Sequence, residues 1–423
     1  MTGTIAVVGT GYVGLTTGAC FSKLGHDVIC ADIVPEKVES LKRGEIPIHE
    51  AGLEEIVREG IDAGKLTFVL GAENAVANAE FVYLCVPTPQ GADGSADLTY
   101  LQAAASEISA KLQPGTIVVN KSTVPVGSTH LVEQALGRSD IPVVSNPEFL
   151  REGTAVDDFL NPDRVVIGSD DQVAAGRVAS LYLEVRAPIM VTDPASAETC
   201  KYAANAFLAT KLSFTNAIAA VCEAVGADVN DVLLGMGYDH RIGHEFLRPG
   251  PGWGGSCFPK DAKAIISIAE DAGYDFSLMR GVVAVNEEQF ERIVGKVESV
   301  ADIDGATVAL LGLAFKAGTD DVRESPSLEI ARRLIAKGAT VRGYDPAVKS
   351  VNMDGLDVVD DAYAACEGAV ALVVGTEWDD FKWLDLDKIG DVMAARNVVD
   401  ARNLLDRGAL RRCGFTYQGV GRS

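Results

Sequence analysis

Residues 4–34 read TIAVVGTGYVGLTTGACFSKLGHDVICADIV, and the order of their parts decides the fold. An apolar run, TIAVVG, leads into a glycine turn from Thr10 to Gly14; LTTGACFSKLG then has helical character up to Gly25, and HDVICADI is a second apolar run. Strand, turn, helix and strand make one βαβ unit. Gly9, Gly11 and Gly14 form G-x-G-x-x-G directly after the first strand, and Asp32 ends the second, 23 residues beyond Gly9. Glycines so placed let the backbone turn tightly and approach a pyrophosphate on the helix N-terminus, while the carboxylate accepts hydrogen bonds from ribose hydroxyls. Asp32 would repel a 2′-phosphate, which points to NAD rather than NADP; Lys37 is the nearby charge working the other way.

Working outward, strand-like runs recur at 80–86, 116–120, 141–145 and 164–168, with helical patterns between them such as 98–112. This alternation predicts a parallel sheet covered on both faces and ending near Pro194. From 195 to about 224 there is neither Pro nor Gly, and apolar residues recur at helical spacing. At 1.5 Å per residue the helix would run roughly 45 Å, too long for one small domain to cover, so it is expected to bridge two domains and form a dimer contact. A Gly-rich loop at 248–256 and a helix at 259–272 follow, and from about Asp304 the α/β pattern returns. The expected architecture is α/β: two Rossmann-like, doubly wound domains, 1–194 and 301–423, joined by a central helical segment, 195–300.

With 423 residues the chain is long enough for two or three domains at roughly 150 residues each. Thirty-seven Lys and Arg against 60 Asp and Glu give a net charge of −23, a surface that repels nucleic acid and anionic lipid. No basic region or cleavage site precedes the first apolar run, and runs such as VALLGLAF are far shorter than a membrane span. The expectation is a cytoplasmic protein with no membrane and no nucleic-acid partner. Eight cysteines lie at long spacings without C-x-x-C, so most should be reduced core thiols.

Cys257 stands apart. In GPGWGGSCFPKDA it lies between a glycine loop and Pro259, Lys260 and Asp261, which look like a first helical turn. A helix N-terminus and a neighbouring lysine favour the thiolate; alternatively the thiol simply packs. Lys201 and Asn205, four apart on the long helix, project from one face and suit an oxyanion or a water, or they are an ordinary exposed pair. Glu148 and Glu152 in SNPEFLREG have the same spacing after a strand, where Asn146 and Pro147 can open a helix; acidic residues there also answer the helix dipole. Phe315 and Lys316 follow a strand, and Arg323 lies in DDVRES; together they suggest a diphosphate site, or else a solvated charge cluster. His240 and His244 share helical spacing but lack a third ligand, so no metal is expected.

Taken in order, GTGYVG, CVPTP, KSTVPVGST, SNPEFLREG, KYAANAFLATKLSF, GWGGSCFPKDA and FKAGTDDVRES resemble the nucleotide-sugar 6-dehydrogenases, the UDP-glucose/GDP-mannose dehydrogenase family, through nearly the whole chain. The resemblance implies oxidation of a sugar C6 alcohol to a carboxylate, with two NAD and one water. UDP-glucose is the sugar that FLRPGPGWGGSCFPKD favours; GDP-mannose or a UDP-N-acetylhexosamine is the alternative, and a non-catalytic sensor is a further one. Cys257 would match the nucleophile that carries a thiohemiacetal and then a thioester. Lys201 and Asn205 would match oxyanion partners, and Asp261, Thr123 and Glu148 the groups that organise water and protons. Positions matching NAD contacts are Gly9, Gly11, Val13, Gly14, Asp32, Lys37, Thr88, Thr123, Glu152, Lys260 and Arg323. Sugar contacts would come from Glu148, Phe149, Leu150, Arg151, Glu152, Lys201 and Asn205. Others would come from Phe246, Leu247, Arg248, Pro249, Gly250, Gly254, Phe315, Lys316 and Arg402. Arg241 matches a residue that often reaches the neighbouring subunit, in a homodimer or higher homo-oligomer. Two departures are Trp253, where Phe is common, and Arg402 within DARN, where DGR is commoner.

Overall fold

The computed structural model describes residues 3–89, 91 and 96–422, and the chain divides into two compact units between Ala204 and Asn205. In the first unit, alternation along the opening strand sends Ile5 and Val7 into one apolar cluster and Ala6 and Val8 into another. A strand with both faces buried belongs inside a sheet covered on both sides. The strands are β1 (Thr4–Val8), β2 (Asp27–Asp32), β3 (Leu66–Leu70), β4 (Phe81–Leu84), β5 (Ile117–Asn120), β6 (Val143–Ser145), β7 (Val165–Gly168) and β8 (Ile189–Thr192). Their order is β3-β2-β1-β4-β5-β6-β7-β8. The first six have the dinucleotide-fold order, in which the chain reverses direction across the sheet between β1 and β4.

One expectation is corrected here. The sheet is not parallel throughout: β7 meets β6 antiparallel at Ser145 and Gly168, and β8 is parallel to β7. Residues 146–164 hold one six-residue helix, Ala155–Leu160, and the chain re-enters the sheet from the end it left. Strands β3 and β8 are additional to the runs expected from sequence. β8 is an edge strand whose short apolar run, Ile189 to Val191, leaves Met190 and Val191 exposed.

The second unit repeats the pattern. Val308 and Leu310 point to one cluster, Ala309 and Leu311 to another. Its strands are β9 (Thr307–Leu311), β10 (Thr340–Tyr344), β11 (Leu356–Val358), β12 (Ala371–Val374), β13 (Asn397–Asp400) and β14 (Thr416–Gly419), in the order β11-β10-β9-β12-β13-β14, all parallel. Both units are therefore Rossmann-like. The expected long helix spans Pro194–Val225, 32 residues or about 48 Å, and contributes to both units. A second long helix, Ser277–Val300, was not anticipated. Its buried face mixes Val282, Phe290 and Ile293 with Asn286 and Gln289, and those polar residues break the apolar period.

By length and a mean hydropathy of 1.2 in its most apolar window, the Pro194–Val225 helix would pass as a membrane span, which the short uninterrupted apolar runs did not suggest. Its polar residues are nevertheless engaged in protein. Glu198 accepts from the Gly127 and Thr129 amides, Lys201 pairs with Glu148, and Asn205 donates to Asp261.

Candidate active site

The glycine turn follows β1 and opens the helix Tyr12–Lys23. At Gly14 an added Cβ would collide with the Gly9 carbonyl oxygen, so the helix can approach the turn this closely only with glycine there. At Gly11 a Cβ would meet nothing within 4 Å, which leaves the outer side of the turn open to a phosphate. Asp32, at the end of β2, accepts from the Thr10 amide (3.1 Å), the Thr10 hydroxyl (2.5 Å) and Lys37 Nζ (3.0 Å). Burial works to raise its pKa, but the bonds from Thr10 and Lys37 outweigh that and hold it at about 2. It is a carboxylate at every physiological pH, and the turn and acid together fit a dinucleotide. Thr88 Oγ1 donates to the Thr123 carbonyl, which ties the loops after β4 and β5 together. Val13 packs partly buried on the core of this unit.

Past β6, Glu148 and Lys201 form an ion pair at 2.8 Å with each side chain only 5% exposed. Burial pushes the Glu148 pKa up, yet the charge and hydrogen bond of Lys201, the Leu150 amide (2.6 Å) and the charge of Lys121 bring it below the ordinary carboxylate value. Lys201 Nζ also lies 5.5 Å from the centre of the Phe149 ring, whose face carries the Arg164 guanidinium at 3.6 Å. Arg151 is turned to Asp158 at the surface. Lys121, which the sequence reading did not single out, is buried against the rings of Phe159 and Tyr182 and donates to Asn146 Oδ1 (3.1 Å). Burial lowers its pKa to about 8 against the pull of Glu148. A lysine between two aromatic residues has no sequence signature until the fold brings those rings together.

In the second unit Cys257 is the N-cap of the helix Phe258–Asp271, with Pro259 in its first turn. Its sulfur is 3.6 Å from Ser256 Oγ, and it is partly exposed. One turn along, buried Asp261 accepts from Asn205 Nδ2 (2.6 Å) and Lys260 Nζ (2.8 Å). The thiol, the carboxylate and the two donors are thus brought together by one helix start and one side chain from the long helix. By contrast Cys20, Cys85 and Cys366 have thiols pushed up to about 12 by burial and are inert core residues.

The loop before Cys257 is clamped by residues the sequence reading missed. Asn216 accepts from the Gly250 amide, Gln289 donates to its carbonyl, and Asn286 holds both the amide and the carbonyl of Trp253. The indole N–H donates to Ser213 at 2.8 Å. The signal for Asn286 and Gln289 was there, as polar residues on an otherwise apolar helix face. At Gly254 a Cβ would collide with the Glu324 carbonyl oxygen, so this loop, too, approaches another backbone through a glycine. Leu247, Pro249 and Gly250 are buried while Arg248 is exposed, and Phe246 has a positive φ of 61°.

Arg402, after β13, donates to the carbonyls of Gly375 (2.9 Å) and Phe315 (3.3 Å), beside Gly250. Phe315 carries Lys316 Nζ 5.6 Å from its ring centre. Arg323 and Arg241 are exposed and held on local turns by Asp321 and Asp239. Glu152 lies close enough to Tyr12 for its charge to raise the phenol pKa, after burial and Glu50 have done so.

Sequence profiles agree with this division of labour. That of the UDP-glucose/GDP-mannose dehydrogenase family, NAD binding domain, matches residues 3–186; the central domain matches 195–288 and the UDP binding domain 309–407. The chain is 44% identical to UDP-glucose 6-dehydrogenase TuaD of Bacillus subtilis, over 99% of its own length and 93% of the relative's. It is 45% identical to a UDP-glucose 6-dehydrogenase of Pseudomonas aeruginosa, over 99% and 97%. Among solved structures, a UDP-glucose dehydrogenase from Pyrobaculum islandicum superposes with a TM-score of 0.92 at 38% identity, covering 100% of this chain and 98% of that one. With all three profiles in order along the chain, and with the glycine turn and the helix-capping thiol where the motifs put them, this protein belongs to the UDP-glucose/GDP-mannose dehydrogenase family.

Proposed function

We propose that the chain oxidises the C6 alcohol of UDP-glucose to the carboxylate of UDP-glucuronate, consuming two NAD and one water per sugar. The observation that carries this reading is Cys257 at a helix N-terminus, one turn from a buried Asp261 held by Asn205 and Lys260. A simple alcohol dehydrogenase has no use for that thiol. NAD, when bound, supplies the hydride acceptor for each oxidation. The chain does the rest. Cys257 sulfur adds to the C6 aldehyde, the carbonyl π pair moves to oxygen, and that oxygen takes up the proton the thiol gives up, giving a thiohemiacetal. Oxidation of that carbon gives a thioester, and a water then attacks it; the C–S bond breaks, and carboxylate and thiol are released. Lys201 and Asn205 offer the cation and amide that steady the oxyanion, while Asp261, Glu148 and Thr123 hold water and receive protons.

The sugar is read as glucose because relatives named for UDP-glucose reach 44 and 45% identity, against 29% for a UDP-D-ManNAc dehydrogenase structure from Pyrococcus horikoshii, which superposes with a TM-score of 0.89 over 99% of each chain. We assign Phe315, Lys316 and Arg402 to the UDP-sugar, with 149–152, 246–250 and Gly254, and Val13, Lys37, Thr88, Glu152, Lys260 and Arg323 to NAD. The domain limits we propose are 1–194, 195–300 and 301–423. A homodimer is supported by Phe207, Phe214, Val221 and Val225, exposed apolar residues at near-heptad spacing on the long helix; Arg241 would then serve the neighbouring subunit. We also propose a cytoplasmic protein, and the charge of −23 supports one that binds neither nucleic acid nor anionic membrane. Purified protein with NAD and a panel of UDP-glucose, UDP-N-acetylglucosamine and GDP-mannose tests the substrate: turnover should be fastest on UDP-glucose, and turnover only on another sugar would overturn the assignment.

A further inference from the structure

Glu50 has no part in the reading above, yet it is one of the best-connected carboxylates in the first unit. It lies between the helices Pro35–Lys42 and Leu53–Asp62, which connect β2 to β3, and is buried, 5% exposed. Its Oε2 accepts from the Gly153 amide at 2.6 Å and from the hydroxyl of Tyr12; its Oε1 accepts from the Ala155 amide at 2.8 Å. Tyr12 is a variable position of the G-x-G-x-x-G turn itself, and its hydroxyl also meets the Arg151 carbonyl and the Gly153 amide, each at 3.2 Å. Glu50 and the Tyr12 hydroxyl together therefore join the dinucleotide turn to the backbone around Glu152: the hydroxyl meets the Arg151 carbonyl before it, and the carboxylate takes the Gly153 and Ala155 amides after it.

We propose that Glu50 is a positioning residue that, through Tyr12, couples occupation of the dinucleotide turn to the geometry of residues 148–155. The inference rests on the cofactor reading above. Charge-assisted bonds to a buried carboxylate are short and directional, so a shift of Tyr12 on filling the turn is passed to Gly153 and Ala155 rather than absorbed. Glu50 is the side chain that the two amides share, with Tyr12 beside it at Gly153. Glu50→Gln keeps the shape but turns one acceptor into a donor, which must face either an amide N–H or the phenol.

The test is amide hydrogen exchange at Gly153 and Ala155, with and without NAD, in wild type, Tyr12→Phe and Glu50→Gln, with NAD affinity measured by calorimetry on the same samples. In wild type, NAD should slow both amides by about 5-fold or more. Tyr12→Phe should bind NAD within about 3-fold of wild type and lose most of that slowing. Glu50→Gln should exchange fast in either state and lower kcat by about 10-fold or more with the KM for NAD little changed. Full NAD-dependent slowing in Tyr12→Phe, or wild-type kcat in Glu50→Gln, overturns the coupling alone. Failure of wild type to bind NAD overturns the cofactor reading with it.

Discussion

Glu148 and Lys201 show how much one buried pair decides. Each is almost without solvent, and desolvation of both charges is repaid only while they face one another. The Glu148 pKa is lowered in the folded chain, so the pair contributes stability in full above the unfolded carboxyl pKa of about 4.3, and that contribution fades as pH falls through the lowered folded value. Lys201→Met should cost about 3–5 kcal/mol in urea melts at pH 7, and less at pH 5, where the stranded carboxyl can take up a proton. A loss under about 1 kcal/mol at pH 7 would mean that the pair is not closed in solution. Asp32 carries a different expectation. Held at about 2, it stays ionised, and NAD affinity should be flat from pH 8 down to 4; a titration in that window would show Asp32 free of Thr10 and Lys37. For Cys257→Ser, an ester in place of a thioester hydrolyses poorly, so kcat should fall by about 100-fold or more and intact mass should show sugar retained on the protein. Wild-type rates in that variant would remove Cys257 from the mechanism.

At the scale of elements, the βαβ unit and the long helix were legible because their signals are local. Glycine spacing, an acid at a strand end and thirty residues without Pro or Gly need no tertiary context. What escaped was set by partners distant in sequence. Strand β7 runs antiparallel to β6 after a connection that holds a single six-residue helix, and a three-residue β6 gives little warning of it. The Ser277–Val300 helix hid behind Asn286 and Gln289, which are buried because the loop at 250–253 needs their hydrogen bonds. The candidate site was legible to the same degree: Cys257, Asp261 and Asn205 could be singled out by spacing and residue type, while Lys121 and Ser213, though inside quoted motifs, and Glu50, outside them, act through contacts that only folding creates. Gly254→Ala tests the loop as an element. The added methyl has to displace the Glu324 backbone, and the variant should lose about 1–3 kcal/mol of stability along with most of its turnover; unchanged melting would mean that the 254 and 324 backbones are not in contact.

The molecule as a whole combines a strongly acidic surface with one exposed apolar stripe, Phe207, Phe214, Val221 and Val225. A stripe at that spacing on a helix is the form of a helix-to-helix contact. The wild type should sediment as a dimer and the double variant Phe207→Asp with Phe214→Asp as a monomer; a wild type that is monomeric at micromolar concentration would remove the stripe as an interface. Whether Cys257 carries the sugar between the two oxidations is decided by counting NADH per UDP-glucose consumed, with the product mass read in the same sample. Two NADH and a uronate are the result expected of a thiol that holds the aldehyde until water releases the acid. One NADH with an aldehyde product would contradict it and leave Cys257 without a role.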